Sequence, residues 1–146
     1  MAITRRPATD DDKAYLKRLG EDQLRDVVVA QFGAWDDHLY RRCFEERWRK
    51  QTYQIVEMDG RRVGALWATR EADHIWLRQI FIETSYQNQG IGTAMLRELM
   101  DEAGAAGLPL RLRVLTANRA KALYERLGFE TTGMHADSHY WMDYTP

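Results

Sequence analysis

Apolar residues recur along this chain in two rhythms, and the rhythm predicts the element. Spacing of three or four positions indicates a helix; alternation, or a short unbroken apolar run, indicates a strand. Ile3 to Arg6 reads as a short first strand ended by Pro7. Thr9, with Asp12 three residues on, is a helix-start signal. Tyr15, Leu16 and Leu19 then share one helical face, and Gly20 is expected to close that helix. A second helical piece is expected from Asp22 to Phe32, carrying Leu24, Val27 and Val28, with a break at Gly33-Ala34-Trp35. Asp36 caps a further helix, with Leu39, Tyr40, Cys43, Phe44, Arg47 and Trp48 along one side.

The middle of the chain changes rhythm. Tyr53 to Met58 and Arg62 to Thr69 read as strands joined by Asp59-Gly60, a strong two-residue hairpin signal. After a turn at Glu71-Ala72-Asp73 comes the run Ile75 to Ile82, broken only by Arg78 and Gln79, which suits a buried strand. A polar loop, Glu83 to Gln89, leads into Gly90-Ile91-Gly92-Thr93 and a helical pattern of Ile91, Met95, Leu96, Leu99, Met100 and Ala103. Gly104, Gly107 and Pro109 are expected to stop it. Leu110 to Leu115 alternates with period two. A helix from Asn118 to Leu127, then strands from Phe129 to Met134 and His139 to Tyr144, complete the order. The fold class this order gives is α/β, a sandwich with a mixed sheet, antiparallel in its first half.

Composition narrows the picture. A chain of 146 residues, 45% hydrophobic, is expected to form one domain over residues 1–146. A net charge of −1 argues against a general nucleic-acid or membrane-surface partner. No apolar run reaches the ~20 residues of a membrane span, and no secretory leader pattern opens the chain. Cys43 is the single cysteine, which excludes an internal disulfide, and no Cys/His cluster has metal-ligand spacing. No metal and a cytoplasmic location are therefore expected. Cys43 lies on the apolar stripe of its helix and reads as a structural thiol.

The chemistry-bearing stretch is the strand–loop–helix joint from Ile75 to Gly104. A helix start leaves N–H groups without intrahelical partners and carries partial positive charge. Gly90 and Gly92 have no Cβ, so a phosphate or pyrophosphate can approach the backbone. Eased turning is the plain alternative for the glycines. A Walker loop would need lysine after Gly92, where Thr93 stands, and a dinucleotide fingerprint would need a third glycine where Met95 stands. What remains is Gln87-x-x-Gly90-x-Gly92. With Asn118-x-x-Ala-x-x-Leu-Tyr124-x-x-x-Gly128-Phe129 downstream, this resembles the GCN5-related N-acetyltransferases (GNAT), whose acetyl-CoA loop has that form. The two motifs occur in the family's order, with the Leu110 strand between them, and together they cover about half the chain.

The resemblance implies a largely antiparallel sheet of six to seven strands with about four helices, and an acetyl-CoA-dependent transfer to a primary amine of a small molecule or peptide. It implies that the backbone of Ile80, Phe81 and Ile82 pairs with the pantetheine arm, as in strand addition. That requires the Ile75 strand to diverge from the Leu110 strand towards its end. Gln87, Asn88, Gln89, Gly90, Ile91, Gly92 and Thr93 would surround the diphosphate. Many relatives carry arginine at one of the three positions before Gly90; here all three are amides. Lys121 is a candidate nearby cation, Asn118 a candidate amide contact, and Tyr124 the family's general acid for the departing thiolate. With reference pKa values of ~10 for tyrosine and ~8.5 for a thiol, full proton transfer is uphill by ~2 kcal/mol, so donation of a hydrogen bond is the alternative role.

The base and the acceptor are less determined. Some relatives carry glutamate where Arg113 stands, and others a carboxylate where Trp76 and Arg78 stand. Glu83 is the carboxylate nearest the strand end; Glu71, His135 and His139 are further candidates. Arg78 and Arg113, with Trp35, are candidate acceptor contacts, and arginine in place of a carboxylate points to an acceptor with its own anionic group. The alternative pairs these arginines with helix carboxylates. A homodimer is compatible with the family. The rival reading, from another class, is an acyl-CoA-binding sensor or interaction module without catalysis.

Overall fold

The computed structural model describes residues 2–50 and 52–146. Within those residues there are four α-helices and seven strands. They run β1 (Ile3–Pro7), α1 (Lys13–Phe32), α2 (Asp37–Arg49), β2 (Tyr53–Met58), β3 (Arg61–Arg70), β4 (Ile75–Ile82), α3 (Ile91–Ala106), β5 (Leu110–Leu115), α4 (Ala120–Arg126), β6 (Glu130–His135) and β7 (His139–Tyr144). The strands form a sheet in the order β1-β2-β3-β4-β5-β7-β6. The pairs β1–β2, β2–β3, β5–β7 and β6–β7 are antiparallel, and β4–β5 is parallel. The mixed, largely antiparallel sheet and the helix count are as the sequence led us to expect. The chain divides into two compact units, Met1–Ala68 with Gln79–Gly92, and Thr69–Arg78 with Thr93–Pro146. The expectation of one domain meets this partition, which passes through β4.

In the first unit, Asp59 and Gly60 both take positive φ, 52° and 82°, as a type I′ hairpin turn requires. The core joins Tyr15, Leu16 and Leu19 of α1 to Tyr40, Phe44 and Trp48 of α2 and to Tyr53, Ile55, Ala65, Trp67 and Phe81 of the sheet. Asp36 caps α2 by accepting from Leu39 N–H at 3.0 Å. Three details differ from the sequence reading. Gly20 does not end a helix: α1 runs unbroken through it to Gly33, whose φ is 86°. A mid-helix glycine costs about 1 kcal/mol, but here it admits Tyr40, whose hydroxyl lies where a Cβ would be and donates to Lys17 O at 2.7 Å. Leu39 is exposed rather than on the buried side of α2, because that residue lies in the capped first turn. Cys43 is half-buried.

Asp12 is the one buried charged residue among those described, at 2% exposure. Its carboxylate accepts from Arg6 (2.7 and 3.1 Å), Arg62 (3.3 Å) and Thr9 N–H (2.8 Å). These bonds, Arg6 first, hold its carboxyl well below the usual carboxylate range.

In the second unit, β5 buries Leu110, Leu112 and Val114 on one face and turns Arg111 and Arg113 to the other. Its register with β4 covers Ile75↔Leu110, Trp76↔Arg111 and Leu77↔Leu112, three of the eight residues of β4. α3 passes through Gly104 and ends at Gly107, φ 67°. Gly107 N–H bonds Gly104 O (3.2 Å) and Leu108 N–H bonds Ala103 O (3.0 Å), a Schellman ending. Gly107, with its left-handed backbone, thus performs the stop that the sequence reading had shared with Gly104.

Candidate active site

The first candidate segment is the end of β4 and the loop after it. Phe81 and Ile82 are buried and Ile80 half-buried, so their side chains serve packing while the backbone carries what polar chemistry they have. Gly64 lies alongside: a Cβ there would collide with the Phe81 carbonyl. Glu83 follows β4 directly. Its N–H donates to Val63 O at 2.8 Å, and its side chain is partly exposed. Its charge helps, after burial, to push the Tyr15 hydroxyl up from its ordinary value. That hydroxyl is buried with no hydrogen-bond partner among the described residues, and the Arg62 guanidinium covers its ring at 4.5 Å.

A single turn, Thr84–Tyr86, starts the loop, tied by Tyr86 N–H to Glu83 O (2.8 Å) and Gln87 N–H to Thr84 O (3.2 Å). The Gln87 amide donates to Ile82 O (3.0 Å) and Gln23 Oε1 (3.1 Å), and Gln89 donates to Ser85 O (3.4 Å). These two glutamines therefore brace the loop. Asn88 and Gly90 take positive φ, 63° and 82°, and turn the chain into α3. Residues 87–90 are exposed or half-buried, whereas Ile91 is 1% exposed and anchors the helix start in the core. A Cβ at Gly90 would meet nothing within 4 Å, and one at Gly92 only Ile82 Cγ1 at 3.7 Å. Neither glycine is demanded by close packing. Their smallness leaves the first amides of a 16-residue helix open to an anion. The residues present at this loop therefore fit a diphosphate, to which they offer N–H groups and the helix dipole.

The second candidate segment lies between β5 and β6. Asn118 lies two residues before α4: its Oδ1 accepts from the N–H of Ala120, the first helical residue, at 2.9 Å, which leaves its amide NH2 to donate. Lys121 bonds Glu125 (3.3 Å) and lies over the Tyr140 ring at 4.8 Å. Tyr124 is buried at 8% exposure with Phe129 edge-on at 5.8 Å. Burial alone raises its hydroxyl to about 12.

The remaining predicted residues are drawn into local pairs. Trp35 packs on Tyr40 (5.1 Å), donates to Asp37 (2.6 Å) and carries the Arg25 guanidinium over its ring. Arg78 donates to Thr69 (3.0 Å) and Glu71 (3.5 Å) and covers the Trp76 ring at 3.7 Å. Arg111 forms a bidentate pair with Asp143, its register partner, at 2.9 and 3.2 Å. Arg113 lies 6.0 Å from the Trp141 ring. The carboxylate partners of Arg78 and Arg111 thus come from a turn and a strand, not from the helices that the alternative expected for Arg78. Glu71 is occupied as an ion-pair partner. His139 bonds Ser138 Oγ through Nδ1 at 2.7 Å, and burial, Arg113 and His135 hold its pKa below the ordinary histidine value. Thr69, Asp143 and the bracing role of Gln23 were missed. Period two along β5 and β7 was the available signal for Asp143; nothing local flags Thr69 or Gln23.

Comparison with known proteins agrees with the fold. Residues 21–129 match the acetyltransferase (GNAT) family. The ribosomal protein bS18-alanine N-acetyltransferase of Escherichia coli is 44% identical over 59 residues, 39% of this chain and 40% of that protein, so the aligned stretch spans under half of the curated relative. Among solved structures, PaiA N-acetyltransferase from Thermoplasma acidophilum, in complex with coenzyme A, superposes with a TM-score of 0.79 over all of both chains at 16% identity. The E. coli ribosomal-protein-S18-alanine N-acetyltransferase gives a TM-score of 0.68 at 21% identity, covering 99% of this chain and 94% of its own. Within the described residues, no helix is long and apolar enough to cross a membrane, and no group of three or more His, Cys, Asp or Glu could hold a metal ion. The chain belongs to the GNAT family, the acetyl-CoA-dependent N-acetyltransferases.

Proposed function

We propose that this chain transfers the acetyl group of acetyl-CoA to a primary amine by direct attack on the thioester. The observation that carries the reading is the open start of α3, where Gly90 and Gly92 leave backbone amides exposed to a diphosphate. In this reading residues 87–93 surround the diphosphate and the backbone of Ile80, Phe81 and Ile82 pairs with the pantetheine amides. Asn118 contributes its amide NH2, and Lys121 adds positive charge. Bound acetyl-CoA supplies the activated carbonyl carbon. The amine nitrogen bonds to that carbon, the C–S bond breaks, and the sulfur leaves with the electron pair.

Tyr124 then acts on the departing sulfur. With its hydroxyl near 12, proton transfer to a thiolate of pKa ~8.5 would be uphill by roughly 5 kcal/mol. Hydrogen-bond donation to the developing charge is therefore its role, rather than full protonation. Glu83 takes the amine's proton, directly or through water.

The acceptor class follows from the same proton accounting. A lysine-type amine of pKa ~10.4 is less than ~0.1% neutral at pH 7, whereas an α-amine of pKa ~7.7–8.0 is roughly 10% neutral. A site whose nearest carboxylate is a solvated loop residue suits the α-amine, and so the N-terminus of a peptide is the favoured acceptor. The partial likeness to an enzyme named for a protein's alanine supports the same class. An anionic group on the acceptor would meet the guanidinium groups of Arg78 and Arg113, with Trp35 a further contact. The cytoplasm is the proposed compartment, and a homodimer is part of the same proposal.

Thiol release from acetyl-CoA, measured with alanyl peptides, amino acids and polyamines, tests this. Alanyl peptides should be the best acceptors, with Tyr124→Phe much slower. Binding of acetyl-CoA without thiol release for any amine would favour the non-catalytic module.

A further inference from the structure

A second pocket lies wholly in the second unit, away from the glycine loop in sequence. It has a volume of about 380 Å³ and is lined by His74, Trp76, Arg111, Thr132 and Trp141. That volume is in the range of small-molecule sites. Its walls are aromatic. The two indoles lie 5.9 Å apart at 58°, His74 stands 6.4 Å from Trp76, and His135 meets Trp141 edge-on at 5.8 Å. The Arg78 guanidinium covers a face of Trp76 at 3.7 Å, which fixes that indole in place. None of these five lining residues takes part in the proposed acetyl transfer.

The polar groups at the rim are directional. Arg111 spends its Nε and Nη2 on the two oxygens of Asp143, so the N–H groups on the other side of the guanidinium point away from that carboxylate. His74 Nδ1 lies 2.6 Å from Asp73 Oδ1. With Nδ1–H donating there, Nε2 of the neutral ring is an acceptor. The Thr132 hydroxyl donates to Trp141 O at 3.4 Å, which leaves its oxygen as a further acceptor. Trp76 Nε1 is buried and has no hydrogen-bond partner among the described residues.

We propose that this pocket binds a small purine ligand, stacked on the indoles, with its acceptor edge towards Arg111 and a ring N–H towards His74. Aromatic faces hold any nucleobase, whereas an arginine donor edge selects the paired O6 and N7 acceptors of guanine. A guanine-type ring also carries the N1–H and amino donors that His74 Nε2 can accept. The two indoles, the paired arginine and the oriented histidine together match both the face and the edge of that ring. Such binding is a further property of the chain, independent of acetyl transfer.

NMR of the full chain tests the proposal, following the five indole N–H signals during titration with guanosine, adenosine or ribose. Guanosine should shift the Trp76 and Trp141 signals saturably at millimolar concentration or below, leaving Trp48 and Trp67 still. Adenosine should bind more weakly, and ribose should not bind. Trp141→Leu should weaken guanosine by roughly ten- to hundredfold. Arg111→Met should erase the preference for guanosine over adenosine. Should Arg111→Met unfold the chain by stranding Asp143, the double variant Arg111→Met/Asp143→Asn and the exposed Thr132→Val carry the test, each expected to weaken guanosine. Coenzyme A binding, measured on the same variants, should be unchanged. No shift of Trp76 and Trp141, equal shifts at all five indoles, or guanosine binding untouched by these substitutions would overturn the proposal. So would displacement of guanosine by coenzyme A at concentrations where adenosine does not displace it, which would make the pocket part of the cofactor's own site.

Discussion

Two segments are proposed to hold one cofactor, and they are built on opposite plans. The loop from Gln87 to Gly92 offers backbone. Its glutamine side chains are turned inward to brace it, and its amides are left open at the start of α3. The segment from Asn118 to Tyr124 offers side chains, each already constrained: Asn118 accepts from Ala120 N–H, Lys121 pairs with Glu125, and Tyr124 is buried. The first plan suits a ligand group of fixed high charge, which exposed N–H groups and a helix dipole attract without side-chain cations. The second suits a charge that arises only during reaction, because a buried hydroxyl held near 12 donates a hydrogen bond without ionising.

Substitutions that strike one plan and spare the other sharpen this contrast. The largest effect is expected from Tyr124→Phe, which removes the donor but not the ring. Steady-state kinetics should give a fall in kcat of about 10²–10³ with little change in acetyl-CoA affinity. The sign of the Tyr124 shift makes a pH prediction too. A phenol raised to about 12 stays protonated through the neutral range, so the wild-type rate profile should lack a tyrosine limb below pH ~10. Gly92→Asp should do the converse. The new carboxylate sits in the first turn of α3, where it favours the helix by about 0.5 kcal/mol, yet it repels the diphosphate. Calorimetry should show acetyl-CoA binding weakened about a hundredfold with thermal stability unchanged or slightly raised.

Smaller effects probe the bracing. Asn118→Ala removes the side-chain acceptor of Ala120 N–H at the start of α4 and should lower stability by about 1 kcal/mol in denaturant unfolding. Gln87→Ala frees Ile82 O and Gln23 and should weaken acetyl-CoA by only about threefold, through loop disorder. Lys121→Gln should change affinity least, less than about twofold, because that ammonium is shared with Glu125 and Tyr140.

What was legible in the sequence follows the same division. The turn into α3 could be read because it is a backbone conformation, which Gly90 spells locally. The Asp59-Gly60 hairpin was read for the same reason, and the limits of β5 were legible from local alternation. Gly20 was misread because its purpose is the approach of Tyr40, twenty residues away in sequence. Gly104 was misread because only the hydrogen bonds of Gly107 and Leu108 reveal which glycine ends α3. The partners of the β5 arginines depend on strand register: Asp143 reaches Arg111 only because β7 pairs with β5 in that alignment. Glu71 meets Arg78 across a turn whose geometry the sequence did not specify. The orientation of Gln87, outward to a ligand or inward to Ile82 O, was likewise beyond local pattern.

The most direct test of the central claim is a backbone amide NMR titration of the full chain with coenzyme A. The account predicts that the amides of Gln89, Gly90, Ile91 and Gly92 shift saturably and most strongly, and that Gly92→Asp abolishes those shifts. Saturable binding that leaves these amides unmoved would contradict it.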